Sequence, residues 1–482
     1  VIVSSAPNLV LYKNVVLFAA GPGQVSALSI EDGKKLWTGS HGPTGHLSTY
    51  DLLVADGLVW STSGGKAAKG GKAGKGGTEP TKRISARWFL IGRDPVSGRV
   101  KRTFPPGKSD WFHHRCHRGR ATDNYLMMAR TGIEYINLKT GKWQPNPWVR
   151  GACLYGFMPA NGMTYAPPHP CACYIESKLT GFNALIGKRP SRKSDAARLV
   201  KGPAYAGERG KIEPGQANAW PTYRSDNMRS GSTMTSVSTA PKQVWQAKIP
   251  GPLTPPVIAD GKVYVSAIES HTVHALESST GKQVWAYTAG GRVDSPPTIV
   301  KTTQGGALCL FGCRDGWIYC LQGSDGALVW RYRAVQEERR IVSYDQLEST
   351  WPVNGAVLVR DESLYCVAGR SMFLDGGLRL LKLNVLTGEV ELDKVMDDTM
   401  PGSSKPLHTA AMKLDMPVAL PDILSSDGKQ LYMRSQAITL AGERLDMRAF
   451  RAQDQDNEKA HLLCSGGFLD DTWFHRAYWI FG

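Results

Sequence analysis

The feature that most constrains this chain is a unit of about forty residues that recurs along it. One copy, Val244 to Tyr287, reads VWQAKIPGPLTPPVIADGKVYVSAIESHTVHALESSTGKQVWAY; the next, Arg292 to Tyr332, reads RVDSPPTIVKTTQGGALCLFGCRDGWIYCLQGSDGALVWRY. Each carries a Pro-Pro pair, three short apolar runs parted by turns, a Gly-containing turn and a last run ending near Trp. Trp245, Trp285 and Trp330 fall 40 and 45 residues apart, the period of one four-stranded propeller blade and of WD-type repeats. The closing turn returns as Asp32-Gly33-Lys34 before Trp37, Ser97-Gly98-Arg99, Thr140-Gly141-Lys142 before Trp143, and Thr387-Gly388-Glu389. Glycine there supplies the positive φ of a tight hairpin. The alternation in Val263-Tyr264-Val265 and Trp317-Ile318-Tyr319 fits strands packed between neighbouring sheets.

Counting units predicts an all-β, eight-bladed β-propeller of four-stranded antiparallel blades, with seven blades as the alternative. The units fall near 7–37, 48–104, 111–143, 150–186, 244–285, 292–330, 350–390 and 422–482. Residues 1–482 are expected to form one domain, because radial repetition lets a single all-β domain exceed the usual size. The last unit is the least regular and is expected to close the ring through Trp473 to Phe481, removing exposed sheet edges. The 52 Gly and 29 Pro match a fold made of turns rather than long helices.

Charge is the second constraint. The formal net charge is +16, and part of it is local. Gly64 to Gly77 reads GGKAAKGGKAGKGG, which has nothing to bury and is expected to be a flexible cationic loop, dispensable for folding. A second basic stretch lies within 187–220, expected to be a linker between the fourth and fifth blades. Such a balance favours solubility or a salt-sensitive attraction to an acidic polysaccharide or another anionic surface. No nucleic-acid-binding signature occurs, so nucleic acid is not the expected partner. No run of eighteen apolar residues suggests a membrane helix. The chain starts at Val1 without the pattern of a signal peptide, so either a leader has been removed or it is part of a longer polypeptide.

The third and fourth units depart most from the plain repeat. Trp111 to Thr122 reads WFHHRCHRGRAT, placing His113, His114, Arg115, Cys116 and His117 where a generic blade has an apolar strand. The next unit supplies Arg150, Cys153 and Tyr155, then His169, Cys171, Cys173, Tyr174, Glu176 and Lys178. Cys171 and Cys173, one residue apart, would project from one face of a strand. Adjacent blades could therefore gather these groups near the central opening. Three readings stay open. The thiols form disulfides and the histidines are structural. Alternatively Cys116, Cys153, Cys171, Cys173 and His117 hold a metal, zinc or copper by the softness of the donors. Or the site is metal-free, with His113, His114, Arg115, Arg150, His169 and Tyr174 moving protons and neutralising a substrate carboxylate, as β-elimination of an acidic sugar requires. Cys309, Cys313, Cys320 and Cys366 lie in apolar strands and read as small core residues. Arg339-Arg340, Glu348 beside Trp351, His408 and Asp470-Asp471 read as structural.

Through motifs such as ADGKVYVSAIESHTVHALESSTGKQVW, nearly the whole chain resembles the PQQ-like β-propeller family, which includes quinoprotein alcohol dehydrogenases and the outer-membrane assembly lipoprotein BamB. GACLYGFMPANGMTYAPPHPCACYIESKLTGFNAL and GGFLDDTWFHRAYWIFG resemble bacterial proteins known only as PQQ-like repeat proteins. The resemblance implies the fold and an extracytoplasmic, periplasmic or extracellular setting. It does not extend to the quinone. The dehydrogenases clasp it against a ring of two adjacent Cys, whereas Cys171-Ala172-Cys173 is the nearest approach here. No matching calcium set was found, so PQQ is not an expected cofactor. Two functions follow: a carbohydrate-active lyase or hydrolase on an acidic polysaccharide, or a non-catalytic scaffold presenting its rims to a protein partner. An exposed apolar patch would favour the scaffold.

Overall fold

The computed structural model describes residues 8–19, 23–42, 51–62, 90–105, 117–129, 132–153, 155–168, 174, 176–187, 195–205, 209–215, 218–410, 416–445, 463–464, 468–469 and 479–480. They are almost wholly β; Leu407–Ala410, one turn of 3₁₀ helix, is the only helix among them. Among the described residues eight antiparallel meanders follow one another, at 8–41, 53–104, 120–144, 158–186, 257–288, 298–333, 358–396 and 425–439. Each overlaps one of the units read from the repeat, the last being a sheet at 425–439 within the expected 422–482. The fourth and eighth have three strands, the sixth has five and the others four. The fifth strand of the sixth sheet is Leu199–Lys201, whose Val200 pairs with Arg331. The segment read as a linker thus carries a strand, and its Ile212 and Trp220 make single bridges to Thr302 and Ile258. Two further antiparallel pairs stand apart, the hairpin of Arg340–Ser343 with Gln346–Ser349 and the pairing of Leu463–Cys464 with Trp479–Ile480.

The chain divides into two compact units, 1–170 with 178–187, and 171–177 with 188–482. Each holds four meanders. The Lys-rich segment 64–77, Trp473 and the segment expected to close the ring lie outside the described residues, apart from the short pair at 479–480.

The repeat has a local physical cause. In five sheets the pairing of the third and fourth strands slips register just before the closing turn. The turn then needs a left-handed residue: Gly98, Gly281, Gly326 and Gly388 have φ of 68°, 70°, 75° and 71°. These glycines serve a second purpose. Each lies against a Trp earlier in the chain, so a Cβ at Gly98 would come within 2.5 Å of Trp37, at Gly326 within 2.8 Å of Trp285 and at Gly388 within 2.6 Å of Trp330, and one at Gly281 would meet Trp245. The indole N–H donates to a backbone carbonyl of the same turn: Trp37 to Pro95 at 2.8 Å, Trp245 to Ser278 at 2.8 Å, Trp285 to Gly323 at 3.0 Å and Trp330 to Val385 at 2.9 Å. Each Trp thereby buries its apolar body and satisfies its one donor. Between the sheets lie continuous cores, such as Val257, Tyr264 and Val273 of the fifth against Cys309, Phe311 and Tyr319 of the sixth. Cys309, Cys313, Cys320 and Cys366 are buried in these cores. Desolvation pushes their thiols up, Cys366 to about 12.

Candidate functional site

Of the groups singled out in the third and fourth units, His113, His114, Arg115, Cys116, His169, Cys171 and Cys173 lie outside the described residues. His117, Arg150 and Cys153 are described in the first unit, and the structure brings the two segments that carry them together. His117 is buried, with Nδ1 3.2 Å from the Arg118 carbonyl and its ring edge-on to Phe157, centroids 5.5 Å apart. Gly156, paired with Ala152, leaves the room: a Cβ there would lie 3.5 Å from that of His117. Arg150 is buried and its Nη2 lies 3.5 Å from Sγ of the exposed Cys153.

The polar corner extends beyond what the sequence indicated. His41 Nε2 lies 2.6 Å from the Asp51 carbonyl, and Asp51 Oδ2 accepts the Gly119 N–H at 2.8 Å. Desolvation holds His41 at about 4, so it is neutral at physiological pH. Two donors, His117 and Cys153, remain of the proposed metal ligands. Among the described residues no three His, Cys, Asp or Glu side chains are grouped to hold a metal. Tyr174, in the second unit, is buried with φ of 60°. A left-handed backbone at a bulky residue is costly and is often found at functional positions.

In the second unit a network lies where sequence reading marked only Glu348 and Arg339, both as structural. Glu348 Oε1 accepts from Arg292 Nε at 2.7 Å, and Oε2 from Arg314 Nε at 3.2 Å. Arg314 Nη1 reaches Asp294 at 3.3 Å, and Asp294 Oδ1 accepts the Gly355 N–H at 2.9 Å. Burial works against the charge on Arg314, but Asp294 and Glu348 outweigh it and its pKa is raised. Arg339 and Arg370 both pair with Asp375. These groups cross-link the segments around the sixth and seventh sheets.

Glu348 anchors a hairpin that carries three exposed apolar side chains. Val342, Tyr344 and Leu347 are 73%, 66% and 59% exposed. Tyr344 and Asp345 form its two-residue turn with φ of 49° and 60°, the sign pattern of a type I′ turn. The Tyr344 ring lies under the Arg292 guanidinium, 4.1 Å away. His271 and Glu269 of the fifth sheet's turn both bond Gln346, which steadies the other strand. Elsewhere in this unit a cavity of about 1010 Å³ is lined by the first strands of the fifth, sixth and seventh sheets. Charged groups around it pair with one another, Lys301 with Glu213 at 3.5 Å and Lys382 with Glu391 at 2.8 Å.

A meander repeated along the chain, with Trp37, Trp245, Trp285 and Trp330 each docked on a later glycine turn, is the pattern of a repeat protein. Residues 230–304 match the family model described as outer membrane protein assembly factor BamB, and over that stretch the chain is similar to PQQ-like repeat proteins. An outer membrane protein assembly factor BamB of Xanthomonas campestris pv. campestris is 33% identical over 87 residues, 17% of this chain and 21% of the relative. The matched stretch thus spans about a fifth of the curated relative's length. Among solved structures, BamB from Moraxella catarrhalis is 10% identical, with 89% of this chain and 77% of that chain covered and a TM-score of 0.23. The computationally designed Ika8 protein is 13% identical, with 92% and 95% covered and a TM-score of 0.25. At these scores the overlaps carry no argument about this chain. No helix among the described residues is long and apolar enough to cross a membrane.

Proposed function

We propose that the chain is one eight-bladed propeller that works outside the cytoplasm as a non-catalytic scaffold and presents the 340–349 hairpin to a protein partner. The observation that carries this reading is the combination of an exposed apolar tip with a buried, charged anchor. Val342, Tyr344 and Leu347 face solvent, while Glu348 holds the hairpin's base through Arg292 and Arg314. Contiguous exposed apolar surface on a rigid support is the mark of a docking element, because association then costs little ordering entropy. The relative's description as an assembly factor is in keeping with such a role. The test is a photo-crosslinking residue at Leu347 of the full chain, expressed in its source cells. A discrete protein adduct that disappears in Val342→Asp/Leu347→Asp is expected. An adduct that persists in that variant, or none at all, would count against the scaffold.

A second reading is favoured by one observation, the meeting of the His117 segment with the Arg150–Cys153 segment. It is an enzyme, lyase or hydrolase, on an acidic polysaccharide, with His113, His114, Arg115, Arg150, His169 and Tyr174 in catalytic roles. Cys116, Cys153, Cys171, Cys173 and His117 would hold zinc or copper if a metal is used. Arg150 would offer its guanidinium to a substrate carboxylate. Elemental analysis, with release of unsaturated ends from a uronate polymer, tests it. Activity that survives Arg150→Ala, or no metal and no activity, would count against it.

A further inference from the structure

Partly buried arginines of the second unit are commonly matched by carboxylates. Arg198 and Arg379 share Asp393 at 2.8 and 3.1 Å, Arg339 and Arg370 share Asp375, and Arg292 and Arg314 share Glu348. Arg331 and Arg333 break this pattern. Among the described residues no carboxylate lies within 4.0 Å of either, and both guanidinium groups lie instead over the Trp317 ring, 4.5 and 4.9 Å from its centroid. Arg331 Nε and Arg333 Nη1 are shut from water and have no acceptor. Two like charges are therefore held side by side, partly desolvated, with an indole as brace and no described carboxylate within 4.0 Å. A buried donor without an acceptor and a charge without a partner are both costly, and each calls for a cause.

The spacing says what would complete them. Arg331 and Arg333 lie in the strand Leu328–Arg333, with Trp317 opposite Arg333 in the neighbouring strand. Side chains two apart on a strand share a face, and their Cα atoms are separated by about 6.6–6.8 Å. An extended peptide with acidic residues at alternate positions presents carboxylates on the same pitch. Guanidinium bonds a carboxylate in a bidentate fork, and stacking on Trp317 fixes its plane beforehand. The formal charge of +16 steers such a ligand in.

We propose that Arg331 and Arg333, braced by Trp317, form a docking subsite for an extended acidic segment of a protein partner, with acidic side chains two residues apart. This rests on the scaffold reading and names the chemistry of the partner. The test uses the purified full chain and a labelled peptide of alternating glutamate and threonine, followed by fluorescence anisotropy at low salt. Arg331→Gln/Arg333→Gln should weaken binding about tenfold, the loss of two charge-assisted contacts, with an unchanged melting curve. A peptide of the same composition with its glutamates in adjacent pairs should bind several-fold more weakly. Equal binding by the double variant, or no preference for the alternating spacing, overturns the subsite. So does tighter, arginine-dependent binding of an oligogalacturonate, which would assign the pair to a polysaccharide. Val342→Asp/Leu347→Asp should bind the peptide as the parent does. Loss of the hairpin adduct with peptide binding intact would therefore fail the scaffold's hairpin alone, and the converse would fail the subsite alone.

Discussion

Arg292 and Glu348, 56 residues apart in sequence, are joined inside the second unit by an Nε to Oε1 hydrogen bond of 2.7 Å, with side chains only 7% and 1% exposed. Glu348 also receives Arg314, so one carboxylate answers two guanidinium groups.

The first prediction follows from that ratio. Glu348→Gln keeps the shape but leaves two buried cations without their shared anion. Breaking a buried pair from one side costs about 3–5 kcal/mol, and the cost should appear as a lower denaturation midpoint. Hydrogen exchange in 340–349 should speed up in the same variant. An unchanged midpoint would mean that Arg292 and Arg314 find other partners.

Two buried groups predict opposite responses to pH. Desolvation pushes Asp422, whose oxygens accept the Phe468 N–H at 2.8 and 2.9 Å, up to about 6. Between the unfolded value of 3.8 and about 6 the folded state holds more protons, so this group makes stability fall as pH rises through that window. Asp422→Asn should remove that fall, which urea titrations across the window would read directly.

His41 behaves in the other sense. Its folded value of about 4 lies below the unfolded 6.5, so its contribution is complete above the higher value and is lost as pH drops towards the lower. His41→Gln should flatten the acid limb of the stability curve. A limb as steep as the parent's would show that His41 is not its source.

The glycine turns give a paired prediction. Gly261 and Gly281 both have positive φ, of 72° and 70°, but a Cβ at Gly261 meets nothing within 4 Å whereas one at Gly281 runs into Trp245. Gly261→Ala should cost about 1 kcal/mol for the backbone alone, and Gly281→Ala about 2–4 kcal/mol through the added clash. Equal losses in chemical denaturation would show that the Trp yields without penalty.

How much of this was legible beforehand differs by level. Trp245, Trp285 and Trp330 and their glycine turns located the sheets, because both residues of the docking pair recur at a fixed phase. Leu199–Lys201 was not legible: its Arg-Leu-Val-Lys context resembles the basic linker around it, and only pairing with Trp330 to Tyr332 makes it a strand. Arg292, Asp294 and Arg314 were missed for a related reason. Each is a single charge in an irregular segment, and the network exists only when segments far apart in sequence fold against each other. Glu348 drew notice through its neighbour Trp351, but read as structural it gave no hint of two cations. His117 and Arg150 were marked by local composition, and their segments do meet. Arg331 and Arg333 look like ordinary outward residues of a strand until Trp317 is placed beneath both.

The docking of each Trp on the following turn also displaces the unit of stability from the unit of hydrogen bonding. A sheet is closed by its own strand pairs, yet its outer-strand indole is satisfied only by the next sheet's carbonyl, as Trp285 is by Gly323 and Trp330 by Val385. A chain cut cleanly between two meanders would therefore leave an intact sheet with an orphaned indole on one side and an uncovered glycine turn on the other. Such an array is expected to lose strength in steps, each lesion felt first by the nearest neighbour rather than by the whole. The residue that closes one repeat is, energetically, the opening residue of the next.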